Sequence, residues 1–562
     1  MNRLPLLFLA LALAAPAAHA APRPDPSSLR DLPVQDGGRR KPLLAFAQEQ
    51  VRALNGRLGT LKDGADGSRT DALTALLAIW LEPEGWNERQ VILVDDVALR
   101  KKLGLSATER LYSAKTLIGK PDLMRLAEEG SNAPEGKPTP LQRAAQTVAE
   151  RVMILQSLMA GKPFTLAPPL PFTDERAAVP APAPSPHGNP APRAVSRAGM
   201  WTTLEVSGDD GLVEVREQLG KAWRANDQGA FSAAAMLLRE RARARNPASL
   251  PEEWRLRLEV NYLLWHPFRW AWVCCAMAAF ALAMSRRGAQ GLGYRSGWVL
   301  SVVALLFQVA GFTARTMVTG RAPVTNMYET VVWLAFAALA IAVFLEAVNR
   351  VRWFLLCATP LAAAVLIMAD LQATVLDSTL HPLVPVLRSN FWLTIHVITI
   401  TTSYAALLLA LGLGHLVLLM ALLKRSRAAG EFLHGYVDRA LQVGVLLLAA
   451  GTILGGVWAN YSWGRFWGWD PKETWALIAL LTYLFLLHGR LVRWWAGFGM
   501  AVGAILCFQS VIMAWYGVNF VLGVGLHSYG FGSGGIRWAF LFLAIECAFI
   551  ALAAWRARTP RA

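Results

Sequence analysis

After Phe268 the chain carries nine apolar runs, roughly 268–285, 297–315, 328–346, 352–369, 392–422, 437–459, 472–492, 498–521 and 538–555. Each approaches the ~20 residues that a helix needs to cross a bilayer. In hydrocarbon every backbone N–H and C=O must be satisfied within the chain, so runs of this length cross as helices. The hydrophobic content, 54% of the 562 residues with 22 Trp, is concentrated in this half. The expected fold is an all-α polytopic membrane protein of about nine transmembrane helices, preceded by a mostly helical soluble domain.

The chain opens on Met1-Asn2-Arg3, an apolar run from Leu4 to Ala15, and Ala18-His19-Ala20. That is the pattern of a secretory signal over residues 1–20, with cleavage after Ala20 or retention as an anchor. Residues 21–175 are polar enough for a soluble domain. Helical periodicity runs over 44–58, 70–80 and 141–159, an extended segment over 86–94, and Asp36 to Leu43 reads as a turn. This domain has no Cys and no His, so no metal-ligand cluster, and no nucleophile arrangement. Residues 176–199 form a proline-rich linker that contains His187. Residues 200–264 read as a juxtamembrane helical segment and 265–562 as the transmembrane domain. The basic run Arg239 to Arg245 reads as a solvated or lipid-facing surface rather than a nucleic-acid site, and the +16 formal charge as a signature of membrane orientation.

Lys and Arg set that orientation. With the soluble domain outside, the inner loops and span ends hold fourteen: Arg286, Arg287, Arg295, Arg350, Arg352, Lys424, Arg425, Arg427, Arg439, Arg490, Arg493, Arg556, Arg558 and Arg561. The outer ones hold six: Arg315, Arg321, Arg388, Arg465, Lys472 and Arg537. This places the loops at 316–327, 370–391, 460–471 and 523–536 outside. The five cysteines, Cys274, Cys275, Cys357, Cys507 and Cys547, fall within spans and form no C-x-x-C. The chain therefore carries neither a dithiol exchange motif nor the C-x-x-C-H of a covalent c-type heme.

One outer loop is unusual. Trp463-Gly464-Arg465-Phe466-Trp467-Gly468-Trp469-Asp470-Pro471-Lys472-Glu473 packs three tryptophans and a phenylalanine into seven residues. An interfacial aromatic belt is one reading. The other is a flat aromatic platform for a large planar ligand, with glycines allowing close approach and Arg465 and Lys472 available to carboxylates. Asp470 as N-cap, Pro471 at the first helical position and Glu473 three residues after the cap form a helix start. Asp470 and Glu473 are assigned to capping first and to ligand contact second.

The pattern W-G-x-x-W-G-W-D-P-x-E resembles the tryptophan-rich signature of the heme-handling WWD proteins of cytochrome c biogenesis. Two histidines flank this loop at the same height: His396 at the outer start of the fifth span and His527 in the last outer loop. Imidazole is a standard iron ligand, and a pair of this kind can hold a heme iron from both faces. Interfacial histidines bonded to backbone are the alternative. His488 stands sixteen residues after Lys472, about 24 Å along a helix, so it belongs to a second, inner site. His415, about 28 Å below His396 by the same rise, either partners His488 or packs. His266, His381 and His434 read as peripheral, the last in an inner loop.

The order His396, tryptophan-rich loop, His488, His527 resembles the System II (CcsA/ResC) branch of that family over roughly residues 255–562. Arg321-Ala322-Pro323-Val324-Thr325-Asn326-Met327-Tyr328-Glu329 and Pro385-Val386-Leu387-Arg388-Ser389 look like it too. The resemblance implies a bacterial inner-membrane protein that takes heme b as substrate. His396 and His527 would ligate it beside Trp463, Arg465, Trp467, Trp469 and Asp470. His488 would receive it from the inner side. It also implies a CcsB/ResB-like membrane subunit, which would supply another transmembrane histidine, and an apocytochrome c whose CxxCH thiols add across the heme vinyls. The chain would then be the heme-presenting subunit of a cytochrome c synthase in contact with membrane lipid. The alternatives are a System I-like heme exporter or chaperone, and a transporter of another flat ligand.

Overall fold

The computed structural model describes residues 23–57, 59–133, 138–169, 200–285, 291–371, 376–382, 390–423, 427–522 and 536–558. The signal segment, the linker with His187, the Pro385–Ser389 stretch and His527 lie outside the described residues. The chain divides into two compact units, Met1–Val260 and Asn261–Ala562.

The first unit is helical with three two-stranded ribbons. Its first ribbon pairs Pro33–Asp36 with Arg39–Pro42. Gly37 and Gly38 turn it at φ +56° and +75°, the left-handed geometry that a two-residue hairpin with the strands' own twist requires. The helices at Leu43–Asn55, Ala72–Leu81 and Pro140–Met159 fall where the periodicity puts them. Asp71 caps the second, and Thr139 with Gln142 forms a capping box on the third. Trp80 is buried and stacks on Phe164 at 4.2 Å.

Two residues of the basic run, Arg239 and Arg245, depart from the expected solvated role, while Arg243 is exposed as expected. Arg239 donates to the Ser28 carbonyl at 2.8 Å and to Asp31, and Arg245 donates to the Pro168 and Ser207 carbonyls at 2.7 Å each. Burial pushes the Asp31 carboxyl up, but the hydrogen bond and charge of Arg239 outweigh it and leave Asp31 below the usual carboxylate range. Arg239 fastens the helix Gln228–Arg245 to the start of the unit and Arg245 fastens it to the segments at Pro168 and Ser207, so their planar guanidinium groups act as clamps on carbonyls.

In the second unit, α1 (Pro267–Met284), α2 (Leu292–Thr319), α3 (Met327–Asn349), α4 (Trp353–Leu371), α5 (Asn390–Leu422), α6 (Arg427–Trp463), α7 (Pro471–Leu491), α8 (Gly497–Ile512) and α9 (Ile536–Arg558) form an antiparallel bundle. Among the described residues nine helices are long and apolar enough to cross a membrane, and the chain is a multi-pass membrane protein. Helix α5 lies at the centre, with 72% of its apolar window buried, against 11% for α9. Helix α8 continues as a π-helical segment, Met513–Leu522. His434, expected in a loop, lies instead within α6, which begins at Arg427.

A buried charge cluster joins α2 to α3 at the end of the bundle that carries the tryptophan-rich loop. Arg315 and Glu329, each 1% exposed, pair at 2.7 Å, and Arg321 reaches the other Glu329 oxygen at 3.1 Å. Arg315 also donates to the Tyr262 hydroxyl and the Ser378 carbonyl, and Arg321 to the His381 carbonyl. Removing one member of such a group strands buried charge, at a cost of about 3–5 kcal/mol. Glu329→Ala, which strands two guanidinium groups, should therefore collapse the yield of monodisperse protein in detergent and lower its Tm sharply. Arg321→Gln, which leaves the Arg315–Glu329 pair intact, should lower the Tm by less.

Candidate functional site

The site is built on the α5–α6 pair. Glycines on α6 let the two helices approach: a Cβ on Gly451 would fall 2.8 Å from the Ile400 Cβ, and one on Gly455 2.7 Å from the His396 Cε1. Small residues four apart are a common way to bring membrane helices together. The imidazole of His396 fits into the resulting space. Its Nδ1 lies 2.8 Å from the Gly451 carbonyl oxygen. A carbonyl can only accept, so Nδ1 carries a proton, and in the neutral tautomer of the ring the lone pair lies on Nε2. The same ring lies parallel to Trp458, at 6.3 Å and 6°. Trp458 is buried with Leu393 and Ala459, and Trp392, Val397 and Trp463 pack against them.

Helix α6 ends at Trp463, and Gly464 at φ +75° turns the chain out of it, its N–H donating to the Asn460 carbonyl. Trp463 meets Trp458 edge-on at 4.7 Å. Phe466 lies over Gly456, where a Cβ would come within 2.6 Å of its ring. Trp467 and Trp469 meet at 5.8 Å and 88°. Trp469 is 70% exposed and holds a left-handed backbone, φ +56°, where non-glycine residues are uncommon. Phe466 is half exposed. The loop thus offers aromatic rings that the bundle's own packing leaves uncovered.

The polar residues of the loop hold its shape. Asp470 caps α7, accepting from the Lys472 N–H at 3.0 Å, and Glu473 completes a capping box. Glu473 also accepts from the Gly468 N–H at 2.8 Å and from Arg465 at 3.0 Å. Arg465 lies 5.6 Å over the Trp463 ring, and its guanidinium occupies the space that a side chain at Gly468 would need. Arg465 and Asp470, two of the predicted ligand contacts, are thus tied into the loop's own scaffold.

The remaining histidines separate. His488 lies on the exposed face of α7 beside Leu481, Phe485 and Leu491, its Nδ1 donating to the Leu484 carbonyl at 2.7 Å. It is near the far end of α7, and the structure does not bring it together with His396. His415 has both ring nitrogens engaged: Nδ1 with the Leu411 carbonyl and Nε2 with Glu546 of α9, each at 2.8 Å. It packs, and is not placed as a partner of His488. His434 lies against Gly497 of α8. His266 precedes α1 in a left-handed conformation, and His381 is exposed beside Asp377. His527 lies outside the described residues.

Sequence reasoning missed Glu546, Gly451 and Gly455. An acidic residue inside an apolar span is a signal in its own right, and Gly451 and Gly455 form a small-xxx-small pattern. Neither says which helix lies opposite.

Among known families, that of the cytochrome C assembly protein matches residues 324–527, inside the second unit. The chain is similar to the cytochrome c biogenesis protein CcsA of Synechococcus sp. (strain CC9902), 36% identical over 262 residues, which span 41% of this chain and 86% of that protein. It is also similar to CcsA of Prochlorococcus marinus (strain NATL2A), at 37% over 268 residues, 41% of this chain and 84% of the relative. Protein NrfI of Wolinella succinogenes is 36% identical over 242 residues, covering 42% of this chain and 26% of NrfI. Nine apolar helices among the described residues, a tryptophan-rich loop between the sixth and seventh, and CcsA relatives covered over most of their length lead to one conclusion: the chain belongs to the CcsA family of cytochrome c biogenesis proteins.

Proposed function

We propose that the chain binds heme b as a substrate on the tryptophan-rich loop and presents it for thioether attachment to the CxxCH of an apocytochrome c. The observation that carries this reading is His396: its Nδ1–H is held by the Gly451 carbonyl, so that Nε2 is the ligating nitrogen, one aromatic layer from the loop. Fixing one imidazole nitrogen through the other is how proteins orient histidine toward a metal. His527, eight residues beyond Asn519 in the π-helical segment, is assigned as the second axial ligand. Trp463, Trp467 and Trp469 are assigned to the macrocycle, with Phe466 beside them.

In this reading the loop faces the periplasm, as the Lys and Arg count favours, and the N-terminal unit lies on the same side after a secretory signal segment. His488, on an exposed apolar face near the other end of α7, is assigned to heme entry, with a CcsB/ResB-like subunit covering it. The protein's contribution to attachment is positioning. The apocytochrome thiolates are the nucleophiles, each thiol adding its sulfur and its hydrogen across one vinyl group with no net oxidation.

Three outcomes are expected. Reporter fusions within residues 460–471 should be active on the periplasmic side, and a cytoplasmic loop would overturn the whole assignment. His488→Ala should lower the heme that co-purifies while leaving the loop folded; unchanged heme content with unchanged maturation would remove the entry site. His396→Gly and His527→Gly should each abolish cytochrome c maturation in an inserted protein, with added imidazole restoring part of it by filling the vacant axial position. Trp467→Ala and Trp469→Ala should also lose maturation, and imidazole should not help, because ring contact is what they remove. Equal rescue of all four, or of none, would refute the division into iron ligands and ring platform.

A further inference from the structure

The His415–Glu546 pair stands outside the site described above. His415 is on α5, nineteen residues beyond His396, and Glu546 is on α9, buried at 5% exposure. His415 Nδ1 lies 2.8 Å from the Leu411 carbonyl and must carry a proton to bond it. Nε2 lies 2.8 Å from the Glu546 Oε2. Two lone pairs would repel at that distance, so a proton lies between them. It belongs to an imidazolium facing a carboxylate or to a carboxylic acid facing a neutral imidazole. Either way the pair as a whole is uncharged, which is what a membrane interior tolerates.

Helix α9 has few other inward contacts. Among its described residues Glu546 and Ala553 are buried, and Phe549 stacks on the His415 ring at 5.5 Å and 16°. Phe540, Ile545, Leu552 and Trp555 are exposed. Apolar side chains gain little by leaving lipid for another helix, so polar contacts and close packing decide which helices associate.

The other ionisable groups near this level are committed elsewhere or uncharged. The α5–α6 register set by His396 against Gly455 and Ile400 against Gly451 brings His415 level with Tyr436. Tyr436 bonds Asn349, and Asp438 is paired with Arg490. His434 turns toward Gly497. From α4, Cys357 donates to the Leu409 carbonyl, and from α3, Glu346 accepts from Tyr294 and from the Arg352 N–H. Helix α8 meets α5 here through Ala501, beside Gly414, with no ionisable residue in 497–506.

We propose that His415 and Glu546 form a proton-binding site that latches α9 to α5. With the single bridging proton in place the two helices are tied. When base removes that proton, a carboxylate faces a lone pair at hydrogen-bond distance, and α9 separates from α5.

The structure supplies its own probe positions. Cys547 is exposed on α9, the other four cysteines are buried, and Gly435 on α6 has open space around its Cα. Spin labels on Cys547 and on Gly435→Cys, in full-length protein in lipid nanodiscs, report the separation of α9 from the α5–α6 pair. Near neutral pH the distance distribution should be narrow. It should broaden severalfold as pH is raised to about 10, more than three units above the ordinary histidine titration near about 6.5. Glu546→Gln should stay narrow throughout, because its amide N–H donates to the neutral imidazole with no proton to lose. Glu546→Ala should be broad at every pH. A wild-type distribution unchanged up to that pH, a Glu546→Gln variant that broadens as the wild type does, or a narrow Glu546→Ala variant would each overturn the latch. Should Glu546→Ala fail to insert, the comparison of wild type with the near-isosteric Gln variant decides alone.

Discussion

Helices α5 and α6 approach closely because α6 presents glycine at three positions where α5 presents bulk: Gly444 to Leu407, Gly451 to Ile400 and Gly455 to His396. The rest of the candidate site follows from that contact. It brings the Gly451 carbonyl within hydrogen-bond reach of His396, fixes which ring nitrogen carries the proton, and seats the imidazole parallel to Trp458. A methyl group at Gly455 would displace the ring itself, since a core packed this closely has no slack to absorb it. The histidine's geometry is therefore a property of two helices and cannot be reduced to its own neighbours in sequence.

The tryptophan-rich loop obeys a second constraint, the need of a helix start to satisfy its exposed N–H groups. Asp470 and Glu473 meet that need, and Glu473 goes further by accepting from Gly468 and holding Arg465. One carboxylate thus links the helix cap, the loop backbone and the cation that lies over Trp463. This leaves Trp469 and Phe466 exposed on a loop held by these contacts of its own. An aromatic surface held by its own scaffold suits a large planar ligand better than a scattered belt does.

Polar groups inside the bundle divide by what they accomplish. The Arg315–Glu329–Arg321 cluster is a structural joint whose charges are paired in place and whose guanidinium groups bond carbonyls from other segments. The His415–Glu546 bridge is a buried polar contact on a helix that is otherwise mostly exposed, and the proposed latch gives its proton a share in holding that helix. Burial alone does not distinguish these cases; the number of independent bonds on each side does.

The sequence by itself determined the apolar helices and their number among the described residues, but not every end: α6 begins at Arg427, ten residues before its apolar run. Run length in hydrocarbon leaves a backbone one option, and the caps at Asp470 and Asn326 are local chemistry. It also marked the tryptophan-rich loop and the histidines whose heights differ along a span. It could not say that His415 would have both nitrogens engaged, that Arg239 and Arg245 would clamp carbonyls rather than face solvent, or that Arg465 would be held by Glu473. Each of those facts depends on which residue of a distant segment arrives opposite. Apolar helices look alike to one another in a bilayer, where burial of oily surface does not choose partners. The choice is made by glycine positions and a few polar groups acting across helices, and only the tertiary structure brings the two sides of such contacts together.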